Sequence, residues 1–310
     1  MSVDLSALQA IDRSRLDSSG PIDAPRAIKE GVLQAIGIEP IDRLRPHEET
    51  LTAAMAAVAQ GILETDAFRW PIIIDGASGV ILDGMHRWGL LRTFRFRYVP
   101  VLRFDYLADR AIRLDVWCRL LQDVTPGGFA SAAELFGLRE VPVPLAGIAK
   151  RTGALIVGPD NQVYRFPLQE DPVSTLRRLN AFEGELGMRL KLQTSRARYV
   201  AEQTALEQML HPMVVATFPP PLTKQDVVAI AAAGQVFPAK TTRHIFPWRV
   251  FDVHVTLHQL QDAPTAEGLE DAVRAEHAAL NLRYLGRQVT LDRLYEEPMF
   301  QFQQPGATSR

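Results

Sequence analysis

The sequence predicts a mixed α+β protein, with one N-terminal domain and a second mixed α/β region toward the C-terminus. Short apolar runs typical of strands, such as residues 71–74, occur among segments of helical period, such as residues 27–36. The two kinds of segment do not alternate regularly, so a doubly wound parallel sheet is not expected. The strongest break is Thr-Pro-Gly-Gly at residues 125–128.

Composition limits the classes of protein that fit. The 310 residues are 47% hydrophobic and 23% charged, as in ordinary globular proteins. The net charge of −2 gives no general case for binding nucleic acid or an anionic membrane. The N-terminus does not resemble a signal peptide, and no apolar run is long enough to span a membrane. Since Cys118 is the single cysteine, an internal disulfide is excluded, and we expect a cytoplasmic protein.

Punctuation and periodicity divide the chain into four predicted parts. These are an N-terminal extension (1–26), a first domain (27–125), a C-terminal α+β domain (126–304) and a flexible tail (305–310). In the first domain we predict helices at 27–36, from about 45, at 84–94 and at 108–121, and strands at 38–44, 71–74 and 98–104. Pro40 would confine its strand to a sheet edge.

The C-terminal domain is predicted from the same signals. Gly158-Pro-Asp-Asn161 indicates the turn of a hairpin between two short strands. A polar loop is expected at 235–249, between prolines. The remaining predicted elements are helices at 174–185, 196–210, 223–233 and 267–282 and a strand at 250–257.

The first polar cluster is His47-Glu48-Glu49, at the predicted start of a helix. One interpretation is that its acidic residues stabilise the helix dipole and face solvent. The other is that one carboxylate is a general base that takes a proton from a hydroxyl group. The residues alone leave both interpretations open.

The second cluster is Asp83-Gly84-Met85-His86-Arg87, where a strand passes into a helix. As a structural feature, it would be a helix start capped by Asp83, with Arg87 paired on the surface. As a functional one, the backbone amides, His86 and Arg87 would bind phosphate oxygens, and Asp83 would hold a metal or a hydroxyl.

The third cluster is Lys-Thr-Thr-Arg-His at residues 240–244, inside the predicted loop. Two hydroxyls and three basic groups can bind an anion, or they can form a solvated polar turn. Trp117, on the predicted helix 108–121, can belong to the core or to the wall of a ligand site.

Taken together, the three clusters resemble motifs of the free L-serine kinases, within the ParB/sulfiredoxin-like fold. That group includes the archaeal ADP-dependent serine kinase and the staphyloferrin B pathway serine kinase. Its members carry a His-Glu-Glu motif, an Asp-Gly-His-His-Arg corner and a later Lys-Thr-Thr-Arg-His loop, which have counterparts here in the same order. The similarity covers roughly residues 36–121 and 223–258 and includes Pro71–Asp75 and Tyr98–Val101.

The resemblance implies an enzyme that makes O-phospho-L-serine from free L-serine, with ATP or ADP as donor and Mg²⁺ as cofactor. Glu48 would be the general base, with Asp83 and His86 as further catalytic residues and Asp83 as metal ligand. The nucleotide phosphates would be bound by Gly84, Met85, His86 and Arg87. Serine or phosphoserine would be bound by Trp117, Thr241, Thr242, Arg243 and His244.

One residue departs from the family pattern. Met85 occupies the position of the first histidine in the His-His pair. A phosphate contact is lost if that histidine binds phosphate, and nothing is lost if it only packs. Met85 also argues against the sulfiredoxin reaction, because that reaction uses a cysteine at this corner and a thioether is no substitute.

Two alternatives remain at this stage. One is a ParB-like DNA- or nucleotide-binding regulatory protein, with a helix-turn-helix at 133–153 that Pro142 and Pro144 would interrupt. The other is a kinase for another small hydroxylated amino acid. We expect no nucleic acid or membrane partner, and the sequence leaves the oligomeric state and the choice of ATP or ADP open. The product would serve cysteine-type synthases or siderophore-like chemistry.

Overall fold

The computed structural model describes Leu5 and residues 21–189, 197–291 and 294–305. Most of the predicted N-terminal extension and tail therefore lies outside the described residues. In these ranges the α-helices are α1 (Arg26–Ala35), α2 (Thr52–Thr65), α3 (Met85–Thr93), α4 (Pro126–Phe136), α5 (Pro172–Arg189), α6 (Glu202–Gln208), α7 (Lys224–Ala232), α8 (Leu257–Asp262) and α9 (Ala266–Ala279).

The strands of the described ranges are mostly short. They are β1 (Ile22–Asp23), β2 (Ile36–Pro40), β3 (Ala67–Phe68), β4 (Ile72–Asp75), β5 (Ile81–Asp83), β6 (Tyr98–Phe104), β7 (Arg113–Val116), β8 (Cys118–Leu121), β9 (Arg139–Glu140), β10 (Leu155–Val157), β11 (Val163–Arg165), β12 (Ala197–Val200), β13 (Val215–Phe218), β14 (Thr242–Ile245), β15 (Arg249–Phe251), β16 (Val255–Thr256), β17 (Asn281–Gly286), β18 (Val289–Thr290), β19 (Leu294–Tyr295) and β20 (Met299–Gln303).

The chain forms two compact units. The first contains Met1–Arg113, Ala231–Gly234 and Ile245–Arg310, and the second contains Leu114–Ile230 and Gln235–His244. The sequence had indicated a division at residue 125, but Thr125 starts α4 within the second unit. Its hydroxyl oxygen accepts a hydrogen bond from Gly128 N (3.2 Å), so the Pro-Gly-Gly run opens a helix.

The first unit is built around a four-stranded sheet in the order β2-β6-β4-β5. β6 runs antiparallel to β2 and parallel to β4, and β4 runs antiparallel to β5. The Ile72–Ile74 run of β4 is at most 2% exposed, and burying one isoleucine contributes roughly 1.5–3 kcal/mol. β2, which carries Pro40, lies at the sheet edge as predicted.

A tight turn and a short strand lead from this sheet to the second polar cluster. In the turn after β4, the Asp75 carboxylate accepts hydrogen bonds from Ser78 Oγ (2.5 Å) and Ser78 N (3.0 Å). β5 then ends at Asp83, and α3 begins two residues later. Trp88 of α3 donates from Nε1 to the carbonyl of Ile41 (3.3 Å), which fixes the helix against the rest of the unit.

A second sheet of the first unit has the order β1-β17-β20-β15. β15 and β20 are parallel, with Arg249 opposite Met299. Trp70 stacks on Phe251 (4.9 Å between ring centroids) and on Tyr295 (5.5 Å), and the rings pack with Met299 in one apolar cluster. This sheet brings Arg249 and Glu297 together, as described below.

The second unit has a six-stranded antiparallel sheet in the order β12-β8-β13-β10-β11-β9. The predicted hairpin around Gly158 is confirmed as β10 and β11. Phe129 of α4 and Phe182 of α5 contribute to the core. Burial raises the pKa of Glu183, whose carboxylate is paired with the Arg119 guanidinium at 2.7 Å.

The predicted helix over residues 108–121 is wrong. The segment forms β7 and β8, with Trp117 between them. Ile112 and Val116 are buried, and so are all four residues of β8, as in a strand that is covered on both faces. Ile112 and Val116 are also four residues apart, so the helical interpretation was available from the pattern, and pairing with distant strands decides between the two.

Three other predictions change. His47-Glu48-Glu49 precedes α2 and does not open it, since α2 begins at Thr52 with no acidic residue in its first turn. The proposed dipole role of these carboxylates is therefore wrong. The predicted loop at 235–249 contains β14, and 197–208 forms a strand and a short helix; residue 196 lies outside the described part. Among the described residues, no helix has the length and apolar content needed to cross a membrane.

Candidate active site

The segment that carries Glu48 is hydrogen-bonded to the strand that leads into the Asp83–Arg87 corner. Arg45 N donates to the carbonyl of Gly79 (2.9 Å), and Ile81 N donates to the carbonyl of Arg45 (2.9 Å). Arg45 and Val80 form a parallel bridge. Residues 45–48 therefore run beside β5, and a carboxylate and a possible phosphate site share one backbone framework within the first unit.

His47 reinforces this link through its side chain. Its Nδ1 lies 2.5 Å from the carbonyl oxygen of Ile81. A carbonyl oxygen can only accept, so Nδ1 carries the proton in this bond. Burial lowers the pKa of His47 and outweighs Glu48, the Ile81 carbonyl and Asp83, which favour the charged form. A neutral ring with its proton on Nδ1 has a lone pair on Nε2, which lies 3.9 Å from Glu48 Oε1.

Glu48 and Glu49 differ in environment. The Glu48 side chain is 14% exposed, whereas Glu49 is exposed to solvent. A general base must be held in place and partly shielded from water, and yet reachable by substrate. Of the two carboxylates, Glu48 is the more shielded, and its role as general base stays a prediction.

Gly84 allows the chain to turn from β5 into α3. Its φ is +98°, a conformation that costs other residues strain. A Cβ at this position would lie 2.8 Å from Arg87 Nη2 and 3.1 Å from Ile72 Cγ1. Intrahelical bonding starts with Trp88 N to the carbonyl of Gly84 (2.9 Å). The first-turn amides thus form the positive end of the helix, an arrangement suited to phosphate.

Asp83 lies between two guanidinium groups. Arg249 Nη1 donates to Asp83 Oδ2, and Arg87 Nη2 lies 3.6 Å from Asp83 Oδ1. Arg87 Nη1 also donates to the carbonyl of Trp70 (3.2 Å). Asp83 does not cap the helix, because Gly84 is the N-cap and no side chain bonds there. The carboxylate interacts instead with the two arginines.

Met85 and His86 occupy different surroundings. Met85 is 8% exposed and belongs to the buried apolar residues of the unit, so its side chain packs and only its amide can serve a phosphate. His86 is half-buried. The position at which Met85 departs from the resembling motif is therefore a packed one.

Arg249 and Glu297 were missed by the sequence interpretation. Both are buried, and Arg249 Nε donates to Glu297 Oε1 (3.0 Å). Burial alone would lower the pKa of Arg249, but Asp83 and Glu297 outweigh it, so this pKa is raised. The sequence held one signal for Arg249, since it is a single charged residue inside the apolar run Trp248–Phe251. A buried strand tolerates such a charge only when it has a partner.

The second unit brings the remaining predicted residues together. β14, which contains three of them, pairs with β7, which ends just before Trp117. Trp117 N donates to the carbonyl of Thr241 (3.0 Å). The guanidinium of Arg243 lies over the indole of Trp117, 5.5 Å from the ring centroid. Residues about 125 positions apart in sequence thus form one cluster.

Within this cluster the side chains differ in what they can do. Arg243 Nη1 lies 3.2 Å from Asp115 Oδ2, which orients the guanidinium. Thr241 is 1% exposed, and its hydroxyl donates to the carbonyl of Pro238 (2.7 Å). Thr241 therefore shapes the turn before β14. Thr242 and His244 alternate with the half-buried Arg243 along the strand and are themselves buried.

The donor set was tested for Mg²⁺. No group of three or more His, Cys, Asp or Glu side chains suited to a metal occurs in the described ranges. Mg²⁺ in nucleotide sites usually takes one or two carboxylates together with phosphate oxygens and water. Asp83 fits such a role as a single ligand, because a carboxylate accepts at about four positions and the bond to Arg249 does not exclude another.

Comparison with known proteins finds similarity to nucleotide-dependent kinases. No family model matches the chain. An ATP-dependent L-serine kinase of Staphylothermus marinus is 26% identical over 67% of this chain and 84% of its own length. The ADP-dependent L-serine kinase SerK of Thermococcus kodakarensis is 22% identical over 71% and 90%. A ParB-like protein of Sulfolobus acidocaldarius is 24% identical over 66% and 87%.

Solved structures show the same fold. C-terminally truncated SbnI from Staphylococcus aureus matches with a TM-score of 0.65 and 18% identity, covering 80% of this chain and 99% of that one. A free serine kinase variant in complex with ADP matches with a TM-score of 0.60 and 19% identity, over 73% and 94%. The predicted α+β class with a ParB/sulfiredoxin-like domain is confirmed, and so is the resemblance to the free L-serine kinases.

Proposed function

We propose that this chain is a free L-serine kinase, which transfers a phosphoryl group from a nucleotide to the serine hydroxyl. The observation that carries the proposal is that Arg45 pairs with residues 79–81 and His47 bonds to the Ile81 carbonyl, because these contacts hold the segment of Glu48 beside the strand that leads into the helix start at Gly84. The similarity to L-serine kinases over two thirds or more of the chain supports it.

In this proposal Glu48 is the general base. It takes the proton from the serine hydroxyl as the oxygen attacks the terminal phosphorus in line. One P–O bond forms, the bond to the leaving nucleotide breaks, and the proton resides on Glu48 until solvent removes it. His47 Nε2 lies 3.9 Å from Glu48 Oε1, beyond hydrogen-bond distance, so His47 takes no proton in this step. Phosphoryl transfer depends mainly on such positioning and on charge neutralisation.

The corner supplies the charge neutralisation. The amides of residues 84–87 and the guanidinium of Arg87 bind the donor phosphates, and His86 assists from the same turn. A guanidinium suits this role because it can donate to two oxygens at once. Mg²⁺, held by Asp83 and the donor phosphates, would further neutralise the charge that develops on the phosphate oxygens.

The cluster around Trp117 is assigned to the acceptor. Arg243 would pair with the serine carboxylate or the phosphoserine phosphate, with Thr242 and His244 beside it and Trp117 as an apolar wall. Thr241 would contribute by holding the turn through Pro238. The Asp115 contact keeps Arg243 oriented, which favours recognition of a fixed anionic group.

Phosphorus NMR of the purified protein with L-serine, Mg²⁺ and either ATP or ADP tests the proposal. With one donor or both, we expect a new resonance whose chemical shift coincides with that of added O-phospho-L-serine. L-Threonine and L-homoserine in parallel samples test the acceptor range. Nucleotide hydrolysis that is independent of any amino acid, or no turnover with either donor, would reject the kinase assignment.

A ParB-like DNA-binding role is not favoured. Residues 145–150 form a 3₁₀ turn and not a recognition helix, so the segment 133–153 is not a helix-turn-helix. Binding of duplex DNA that weakens steeply with salt would support that role. We further propose that the enzyme is cytoplasmic. Its product would serve a synthase that replaces the phosphate group, as in cysteine-type or siderophore-type synthesis.

A further inference from the structure

Arg249 is a buried cation placed at the phosphate corner by a strand that the motifs do not include. Its side chain is 8% exposed. Two carboxylates hold it: Asp83 accepts from Nη1 and Glu297 accepts from Nε. A buried guanidinium is tolerated only when it is paired in this way. Arg249, Asp83 and Glu297 therefore form one coupled group of charges.

Aromatic rings lie over this guanidinium, and the two carboxylates bond to its N–H groups, so its orientation is fixed. Phe246 lies 4.8 Å from it and Tyr295 lies 5.6 Å from it, measured to the ring centroids. The group therefore presents a fixed donor to Asp83. Since Asp83 is the last residue of β5 and Arg249 lies on β15, the contact joins the two sheets of the first unit at the corner.

Within the described residues, two guanidinium groups lie near the Asp83 carboxylate at different distances. It is hydrogen-bonded to Arg249, whereas the Arg87 guanidinium lies 3.6 Å from it. Without Arg249, the negative charge of Asp83 would attract the nearby Arg87 guanidinium more strongly. A close pair would draw Arg87 away from phosphate and use up its charge.

We propose that Arg249, itself held by Glu297, is a positioning residue that keeps the Asp83 carboxylate from closing on Arg87. Arg249 acts through Asp83 and does not touch the phosphates. The proposal rests on the proposed kinase function of the corner for its effect on turnover, and on the geometry alone for its effect on nucleotide affinity.

A double-mutant cycle between Asp83 and Arg249 tests this. The variants are D83N, R249M and D83N/R249M, and the readouts are kcat/KM for the nucleotide and ADP affinity by calorimetry without Mg²⁺. R249M is expected to lower each quantity roughly 10- to 100-fold, the range for residues in contact. In the D83N background the same change should cost at most about twofold. Additive losses would overturn the proposal, because Arg249 would then act independently of Asp83.

Two further variants, R249K and E297Q, separate positioning from folding. R249K keeps the charge but lacks the planar fork that fixes the geometry of both contacts, so its ADP affinity should lie between wild type and R249M. It also replaces R249M in the cycle if R249M does not fold. E297Q should weaken ADP binding in the same direction. Loss of ADP affinity in R249K equal to that in R249M, or wild-type affinity in E297Q, would count against the proposal.

Arg103 provides the matched control. It also bridges two carboxylates of the first unit, Glu39 (2.8 Å) and Glu270 (2.8 Å). R103M should lower thermal stability and leave ADP affinity within about twofold of wild type. If R103M weakens ADP binding as much as R249M, the effect is general destabilisation and the proposal fails. If wild type binds ADP but makes no phosphoserine, the kinase function fails, and the ADP measurements still decide the role of Arg249.

Discussion

His47 donates a hydrogen bond from Nδ1 to the carbonyl oxygen of Ile81, at 2.5 Å and away from solvent. The bond joins the residue before Glu48 to the strand that ends at Asp83. It also places Nε2 of the imidazole 3.9 Å from Glu48 Oε1, so His47 lies next to both Glu48 and the strand that leads into the corner. His47 is thus the side chain that most directly connects the two motifs of the first unit.

Replacing His47 should separate a structural effect from a chemical one. H47A removes the donor to a buried carbonyl, which costs about 1–3 kcal/mol of unfolding free energy, and it should lower kcat because Glu48 loses its fixed position. H47N can still donate from Nδ2 and should retain more of both. Urea unfolding and initial rates measure these effects. H258A, at an exposed histidine, is the control, and equal losses in H47A and H258A would contradict the role.

The same residue predicts a pH dependence of stability. Burial lowers the pKa of His47 in the folded protein, whereas an unfolded histidine titrates near about 6.5. Below that pH the unfolded chain binds a proton that the folded chain does not, so the stability contributed by neutral His47 is present above about 6.5 and is lost as the pH falls.

Unfolding free energies of wild type and H47N test this point. They are measured between about pH 5 and 7.5, a window that contains the pKa of about 6.5 of an unfolded histidine. The advantage of wild type over H47N should shrink with falling pH, by at most about 1.4 kcal/mol per unit. A difference that stays constant across the window would show that His47 does not titrate as expected.

Gly84 is predicted to be irreplaceable at the helix start. G84A introduces strain at a φ of +98°, worth about 1–3 kcal/mol, and pushes a methyl group toward Arg87. We expect a lower melting temperature and a raised KM for the nucleotide. G61A is the control, because nothing lies within 4 Å of its added carbon and alanine in a helix gains about 0.5–1 kcal/mol. An unchanged nucleotide KM in G84A would show that the Asp83–Arg87 corner does not bind the nucleotide phosphates.

Arg243 is predicted to determine affinity for the amino acid. R243K loses the planar fork that Asp115 and Trp117 orient, and the KM for serine should rise roughly 10- to 100-fold, as for loss of a charged hydrogen bond. The nucleotide KM should stay nearly constant. D115N should produce a smaller change in the same direction. A raised nucleotide KM with an unchanged serine KM would reverse the assignment of this cluster.

The elements that the sequence predicted well are those whose signals are local. The strand at Tyr98–Phe104 has the predicted bounds, and the Gly158 turn specifies its hairpin. Gly84 marks the corner because the backbone conformation there requires glycine. Motif order gave Glu48, Asp83 and Arg87 as candidates, and their catalytic and binding roles stay predictions.

The errors concern contacts between distant residues. Residues 113–121 form strands because they pair with β12, β13 and β14, and no local pattern contains that information. Residues 242–245 were predicted as loop for the same reason. The Asp83–Arg249 contact spans 166 positions, so the second cation at the corner was invisible to motif analysis.

The central claim is that Glu48 is the base of a serine phosphorylation. The most direct measurement is the rate of O-phospho-L-serine formation by wild type, E48Q and E49Q at saturating nucleotide and serine. The account predicts turnover by wild type, a loss of ~10²–10⁴-fold in E48Q, and a rate within about twofold of wild type in E49Q, whose side chain is exposed. Full activity of E48Q, or no phosphoserine from wild type with ATP or ADP, would contradict it.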